Sequence, residues 1–237
     1  MKFAYLIEPP FNYRTNDGHV TGCDVDLARW LFEELRIGRF EPVETEFAEL
    51  LPGLSDGRWR MTTGLFGTDE RRAHAAFSRP IWALPDGLLV RKGNPSALTG
   101  YRSVADNDTC ILAVIRDQFQ HRSAQAFGVG DARIRIFETY TEAATAVLNG
   151  EVDAYASVAR AHDGFIQRHP AWDVEPIIVP FNEKKPAFGS FAIAKGDHEL
   201  LEMVNTALDR FIGSTEHRDM MARYGFDDAD VDALLID

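Results

Sequence analysis

The chain is poor in cysteine: Cys23 and Cys110 are the only two in 237 residues, and they stand far apart. A disulfide framework is therefore excluded, and a buried apolar core must hold the fold. Cys and His do not occur at metal-ligand spacing, and the seven histidines do not cluster with acids. His121, His162 and His169 are expected at the surface, and no metal or other cofactor is expected. Basic residues are also short: 25 Lys and Arg stand against 37 Asp and Glu, a formal net charge of −12. Phosphate backbones need basic surface, so a nucleic-acid partner is not expected. The acidity is read as serving solubility. No apolar run is long enough to span a bilayer. Walker loops, dinucleotide fingerprints and nucleophile motifs are lacking as well.

The opening residues, MKFAYLIEPPFNY, carry one lysine, a short apolar run and then Glu8. That is too little for a secretory signal. Met1 is expected either to replace a removed leader, giving a periplasmic protein, or to open a cytoplasmic one. Two unbridged thiols lean toward a reducing compartment.

What is present is the rhythm of an α/β protein. Apolar residues make up 45% of the chain, enough for a substantial core. KFAYLI (2–7) reads as a strand stopped by Pro9-Pro10, and Gly18 and Gly22 mark a hairpin-like turn. From Asp24 the period changes, with Val25, Ala28, Leu31, Phe32 and Leu35 at helical spacing. FEPVETE (40–46) returns as a strand. Past Lys92-Gly93-Asn94-Pro95 the rhythm restarts. Strands are expected at 110–115, 134–139 and 152–157, and helices at 118–127 and 141–149. FGSFAIA (188–194) is a further strand, and 198–212 and 215–224 are amphipathic helices whose natural place is back on the first lobe. Strands alternating with helices predict layers about a mostly parallel sheet. LSDGRWRM (54–61) and VLNGEVDA (147–154) echo each other: a helix end, a glycine, then a strand.

The segment from Leu50 to Arg91 carries the most chemistry. It reads as a helix, a strand, a polar loop, a helix opened by Thr68 and a return strand. Arg71 falls in the first turn of that second helix, beside Thr62, Thr63 and Thr68. Hydroxyls, free helix-end amides and a guanidinium fork together suit a carboxylate. Phe66 offers a flat apolar wall. The residues describe a pocket for a small organic anion or zwitterion. Trp82 reads as core, and Tyr155 as buried packing.

Several motifs carry a family resemblance: GHVTGCDVDL (18–27), LLPGLSDGRW (50–59), TDER (68–71), FSRP (77–80), LLVRKGNP (88–95) and LNGEVDA (148–154). In this order and spacing the chain resembles the family 3 extracellular solute-binding proteins, the amino-acid receptors of ABC importers. The resemblance implies the two-lobed, type II periplasmic binding protein fold, closing over a ligand. Lobe 1 would be residues 1–91 plus 187–237 and lobe 2 residues 92–186, with crossover hinge segments near Val90–Lys92 and Lys184–Phe188. Within the family the chain looks most like the ectoine and hydroxyectoine binders. Glu8, Phe11, Phe66 and Arg71 stand where that subgroup places a carboxylate, two aromatic walls and the arginine for the ligand carboxylate. Phe47 approximately matches a third aromatic.

The chain departs from the amino-acid binders in lobe 2. They usually carry an aspartate, for the α-ammonium, where this chain has Val158. Their Gly-Thr pair at the start of lobe 2's first helix corresponds here to Asp117-Gln118. Gln118 and Ser157 are the lobe 2 polar contacts expected. The implied function is a non-catalytic, monomeric receptor that hands a zwitterionic solute to an ABC permease. Two alternatives stay open: a dehydratase on the same fold, with Glu8 as its acid, and a cytosolic solute sensor.

Overall fold

In the computed structural model, which describes residues 1–235, the chain forms two compact units. The first comprises Met1–Ala83 and Ala187–Asp237, the second Leu84–Pro186. In the first unit the elements run β1 (Lys2–Tyr5), β2 (Tyr13–Arg14), β3 (Val20–Thr21), α1 (Cys23–Leu35) and β4 (Glu41–Glu44). A single 3-10 turn, Phe47–Glu49, leads to α2 (Leu50–Ser55), β5 (Met61–Phe66), α3 (Asp69–His74), β6 (Ala75–Phe77) and β7 (Trp82–Leu84). The second unit holds β8 (Asp86–Arg91), α4 (Tyr101–Asp106), β9 (Leu112–Ile115), α5 (Phe119–Ala126), β10 (Ile134–Phe137), α6 (Tyr140–Leu148), β11 (Ala154–Val158), α7 (Ala159–Arg168) and β12 (Val174–Ile178). The chain then completes the first unit with β13 (Ala187–Ala194), α8 (His198–Phe211), α9 (Thr215–Ala222) and α10 (Asp228–Asp232).

The first sheet has the order β4-β1-β5-β13-β6, with β7 also on β13; the second has β10-β9-β11-β8-β12. Neither is mostly parallel, which corrects the expectation from the strand–helix rhythm. In each, three strands are parallel (β4, β1, β5; β10, β9, β11) and the next joins antiparallel (β13 on β5; β8 on β11). The reversal falls on the strands that follow each passage between units. The two sheets thus share one plan, and the sequence echo is its trace. Gly57 (φ 70°) follows α2 into β5, and Gly150 (φ 73°) follows α6 into β11. Both are left-handed positions that favour glycine.

The first passage lies between Ala83 and Leu84, earlier than the expected Val90–Lys92. Asp86–Arg91 is a full strand of the second sheet, paired with both β11 and β12, so those residues belong to the second unit. Central strands are covered on both faces and read as unbroken apolar runs: LAVI of β9 and AYASV of β11 are buried at every residue. In the first unit Leu6, Leu50, Leu54, Trp59, Leu65 and Phe77 share one core; in the second Leu88, Val90, Tyr101, Leu112, Val114 and Val179 share another. α8 lies on α1, with Trp30 stacked on Phe211 at 3.8 Å between ring centroids. Cys23 and Cys110 are buried, free thiols in different units. Among the described residues no helix is long and apolar enough to cross a membrane.

Candidate functional site

Seven of the nine residues singled out from the sequence, Glu8, Phe11, Phe47, Thr63, Phe66, Thr68 and Arg71, belong to the first unit. Their local structure follows from a few backbone devices. Glu8 opens a tight turn in which its carbonyl accepts from the Phe11 and Asn12 amides, while the Glu8 amide donates to the Asn12 carbonyl. Pro9-Pro10 sits inside that turn, and Glu8 is half-buried. Thr68 caps α3: its hydroxyl accepts from the Arg71 amide at 3.3 Å, in the ordinary manner of an N-cap.

The Arg71 side chain is held in place from two directions. Its guanidinium donates to the Phe66 carbonyl at 3.1 Å and lies over the Phe47 ring, 5.2 Å from the centroid. Phe47 is fixed in turn by packing against the core around Leu50 and Leu54. Arg71 is half-buried, which raises the worth of a carboxylate partner above that of an exposed pair.

Phe11, Phe66 and Trp82, all buried, form a single aromatic cluster. Phe11 packs on Trp82 at 5.3 Å, and Phe66 meets the same indole edge-on at 5.6 Å. The indole rests on a bed of glycine. A Cβ on Gly189 would fall 2.1 Å from the Trp82 ring, and one on Gly64 2.8 Å from it. Trp82 is buried, as read from the sequence, yet it joins the two candidate walls.

The polar loop expected before the helix opened by Thr68 is shorter than the sequence suggests, and Thr63 and Phe66 lie on a strand. β5 runs through Thr62, Thr63 and Gly64 to Phe66, so the loop before α3 shrinks to Gly67-Thr68. Thr62 and Thr63 are buried. The Thr62 hydroxyl donates to the Thr63 carbonyl at 2.9 Å. The Thr63 hydroxyl donates to Asp24 at 2.5 Å and accepts from the Asn12 amide at 2.7 Å. These contacts engage the Thr63 hydroxyl with Asp24 and Asn12 of the same unit.

Asp24, not among the residues singled out from the sequence, is a buried acid beside the aromatic cluster. Its carboxylate also accepts from the Gly64 amide at 2.7 Å and the Trp82 indole N–H at 3.0 Å. Burial pushes its pKa up, opposed by the hydrogen bonds from Thr63, Gly64 and Trp82. The legible signal was its place on α1: Asp24 shares the apolar face with Leu27, Ala28 and Leu31, where an acid needs a reason.

In the second unit, Gln118 precedes α5 and Ser157 lies on β11, paired in register with Gly87; both are buried. Val158 pairs with Asp86. The Asp86 carboxylate is surrounded by Lys184 Nζ at 2.8 Å, the Tyr101 hydroxyl at 2.6 Å and the Gln120 amide at 3.1 Å. The acid beside Val158 is thus occupied within its own unit.

His162 corrects the surface expectation. It is fully buried, its Nδ1 2.6 Å from the Tyr140 hydroxyl and its Nε2 3.2 Å from the Gly87 carbonyl. A carbonyl only accepts, so Nε2 carries the proton and Nδ1 accepts from Tyr140. Burial pulls its pKa down to about 4. Among the described residues no group of three His, Cys, Asp or Glu is placed to hold a metal.

Known proteins share the sequence pattern and the fold. The sequence model of the bacterial extracellular solute-binding proteins, family 3, matches residues 2–227. A probable amino-acid ABC transporter periplasmic-binding protein of Sinorhizobium fredii is 30% identical over 94% of this chain and 76% of its own length. The L-arginine-binding protein of Pseudomonas aeruginosa is 27% identical over 91% of this chain and 83% of its own. Among solved structures, EhuB in complex with hydroxyectoine superposes with a TM-score of 0.89 at 26% identity, covering 99% of this chain and 90% of that one. An ancestral amino acid-binding protein, a precursor of cyclohexadienyl dehydratase, gives 0.82 at 25% identity, covering 94% of each chain. The fold is the α/β, two-lobed type II periplasmic binding protein fold.

Proposed function

Because this chain belongs to the bacterial extracellular solute-binding proteins of family 3, we propose that it captures a small carboxylated zwitterion of the ectoine type for an ABC importer. The observation that carries the reading is the fixed guanidinium of Arg71, held by the Phe66 carbonyl and the Phe47 face at the end of the strand that supplies an aromatic wall. A planar fork held in this way favours a carboxylate in bidentate geometry. Phe11, Phe66 and Trp82 add apolar and π surface, and Glu8 adds negative charge, to which a delocalised or N-substituted cation answers.

The second unit supports the same choice by what it withholds. Val158 is buried and apolar, and the neighbouring Asp86 is taken up by Lys184, Tyr101 and Gln120. An α-ammonium would meet no ready carboxylate from Val158 or Asp86, and an unpaired buried charge is costly. The likeness to EhuB with hydroxyectoine favours the cyclic zwitterion over the amino acids named for other relatives. The chain binds its solute without turning it over, as a monomer outside the cytoplasmic membrane, and presents it to a permease.

A thermal-shift panel of compatible solutes and the twenty amino acids tests the proposal. A solute present at a hundred times its Kd stabilises the folded state by about 2.7 kcal/mol through mass action. Ectoine and hydroxyectoine are expected to raise Tm, betaine and cyclic imino acids less. Stabilisation by common α-amino acids alone would overturn the assignment.

A further inference from the structure

We infer that Asp24 is the positioning residue of the first unit's binding surface: it anchors the Trp82 indole, and through that ring the two walls Phe11 and Phe66. The inference rests on the ectoine-type reading and goes further, because it assigns the affinity for the solute in part to a buried acid that lies behind the walls.

The geometry is that of a hub. One carboxylate oxygen accepts the Trp82 indole N–H at 3.0 Å. The other accepts the Gly64 amide at 2.7 Å and the Thr63 hydroxyl at 2.5 Å. The Cys23 thiol adds a weak donor at 3.6 Å. An indole has one donor, so this single bond fixes its rotation in the plane. The glycine bed of Gly64 and Gly189 fixes its height. Phe11 and Phe66 then pack on a ring that cannot turn.

The hub also reaches the walls through the chain. Gly64 lies two residues before Phe66 on β5. The Thr63 hydroxyl donates to Asp24, so its oxygen is left to accept from Asn12. That polarity settles the Asn12 amide, with Nδ2 toward Thr63, and Asn12 follows Phe11 directly. Only a carboxylate completes the pattern, because it accepts from every neighbour and donates to none. An amide in its place turns an N–H against at least one donor. The donors to the Asp24 carboxylate are the Trp82 indole, the Gly64 amide, the Thr63 hydroxyl and the Cys23 thiol.

The test is calorimetric titration of ectoine into wild type, Asp24→Asn, Trp82→Phe and the double variant, each well below its own Tm. Asp24→Asn is expected to weaken binding at least tenfold. The double variant is expected to bind no worse than the weaker single variant, because both changes break one link. A purely structural acid would lower Tm, leave Kd within twofold and give losses that multiply; any of the last two results overturns the inference. If Asp24→Asn fails to fold, Trp82→Phe decides alone: wild-type affinity there means that the indole N–H anchor is dispensable. Wild-type protein that takes up no ectoine sinks the proposed function instead. The same cycle is then run with whichever solute the thermal-shift panel identifies.

Discussion

Arg71 reaches its place through three short-range contacts: the Thr68 cap beneath its amide, the Phe66 carbonyl on its guanidinium and the Phe47 face beside it. The Phe66 carbonyl and the Phe47 ring fix the plane of the fork, and a carboxylate is the partner that such a plane suits. Arg71→Lys removes the planar fork and Arg71→Ala removes the charge. Truncating one partner of a desolvated, hydrogen-bonded charge pair costs about 2–5 kcal/mol. Both variants are therefore expected to bind ectoine at least thirtyfold more weakly, with Tm in the absence of solute nearly unchanged. Calorimetry checks the first expectation and differential scanning fluorimetry the second. Wild-type affinity in Arg71→Lys would remove Arg71 from the site. At this scale the sequence was readable where the motif was contiguous: Thr68-Asp69-Glu70-Arg71 names its own cap and its own cation. It was not readable where the partners were distant in the chain. Nothing near Thr63 foretold that Asp24 and Asn12 would take up its hydroxyl.

Elements depend on close packing at a few positions. β13 passes under Trp82 at Gly189, where any Cβ would overlap the ring. Gly189→Ala is expected to displace the indole or lose stability by about 1–3 kcal/mol, as overpacking does. Urea denaturation reads the stability, and the calorimetric titration reads any displaced wall. In the second unit His162 ties α7 to β8 through the Gly87 carbonyl and to α6 through Tyr140. Its pKa is about 4 in the fold, against an ordinary value of 6.5. Between those values the unfolded chain takes up a proton and the folded one does not. Stability is then fully present above pH 6.5 and falls as pH drops toward 4, by about 3 kcal/mol. His217, also lowered to about 4, adds in the same direction. Asp24, raised by burial, acts in the opposite sense on the acid side. Denaturation at pH 7, 5.5 and 4.5 is expected to show the loss, and His162→Gln to flatten it; an equally steep decline in that variant would point to another group.

The same scale shows why the fold was only partly legible. Helices with a long apolar stripe, such as α1 and α8, stood out in the sequence. α4, α7 and β12 did not: α4 is only six residues long, α7 carries His162 and Gly164 on its buried side, and β12 holds a proline. The β8 strand was placed in the wrong unit because an apolar run says that a strand is buried, but does not say in which sheet.

For the whole molecule, the repeated sheet plan and the family match account for most of what the sequence carried. Half of the excess of acidic over basic residues falls in residues 181–237, with 12 acids against 6 bases, and a solute of zero net charge leaves it unchanged on binding. Binding is therefore expected to depend little on ionic strength, because the proposed carboxylate contact would lie at the half-buried Arg71, whereas screening acts chiefly between exposed charges. Titrations at 50 mM and 500 mM salt should give the same Kd within about threefold. A steep decline with salt would point to exposed charges as the source of affinity. The most direct test of the central claim is calorimetric titration of unfolded and refolded, solute-free protein with ectoine. The account predicts saturable heat at one solute per chain, lost in Arg71→Ala. Heat from arginine or another α-amino acid, with none from ectoine, would contradict it.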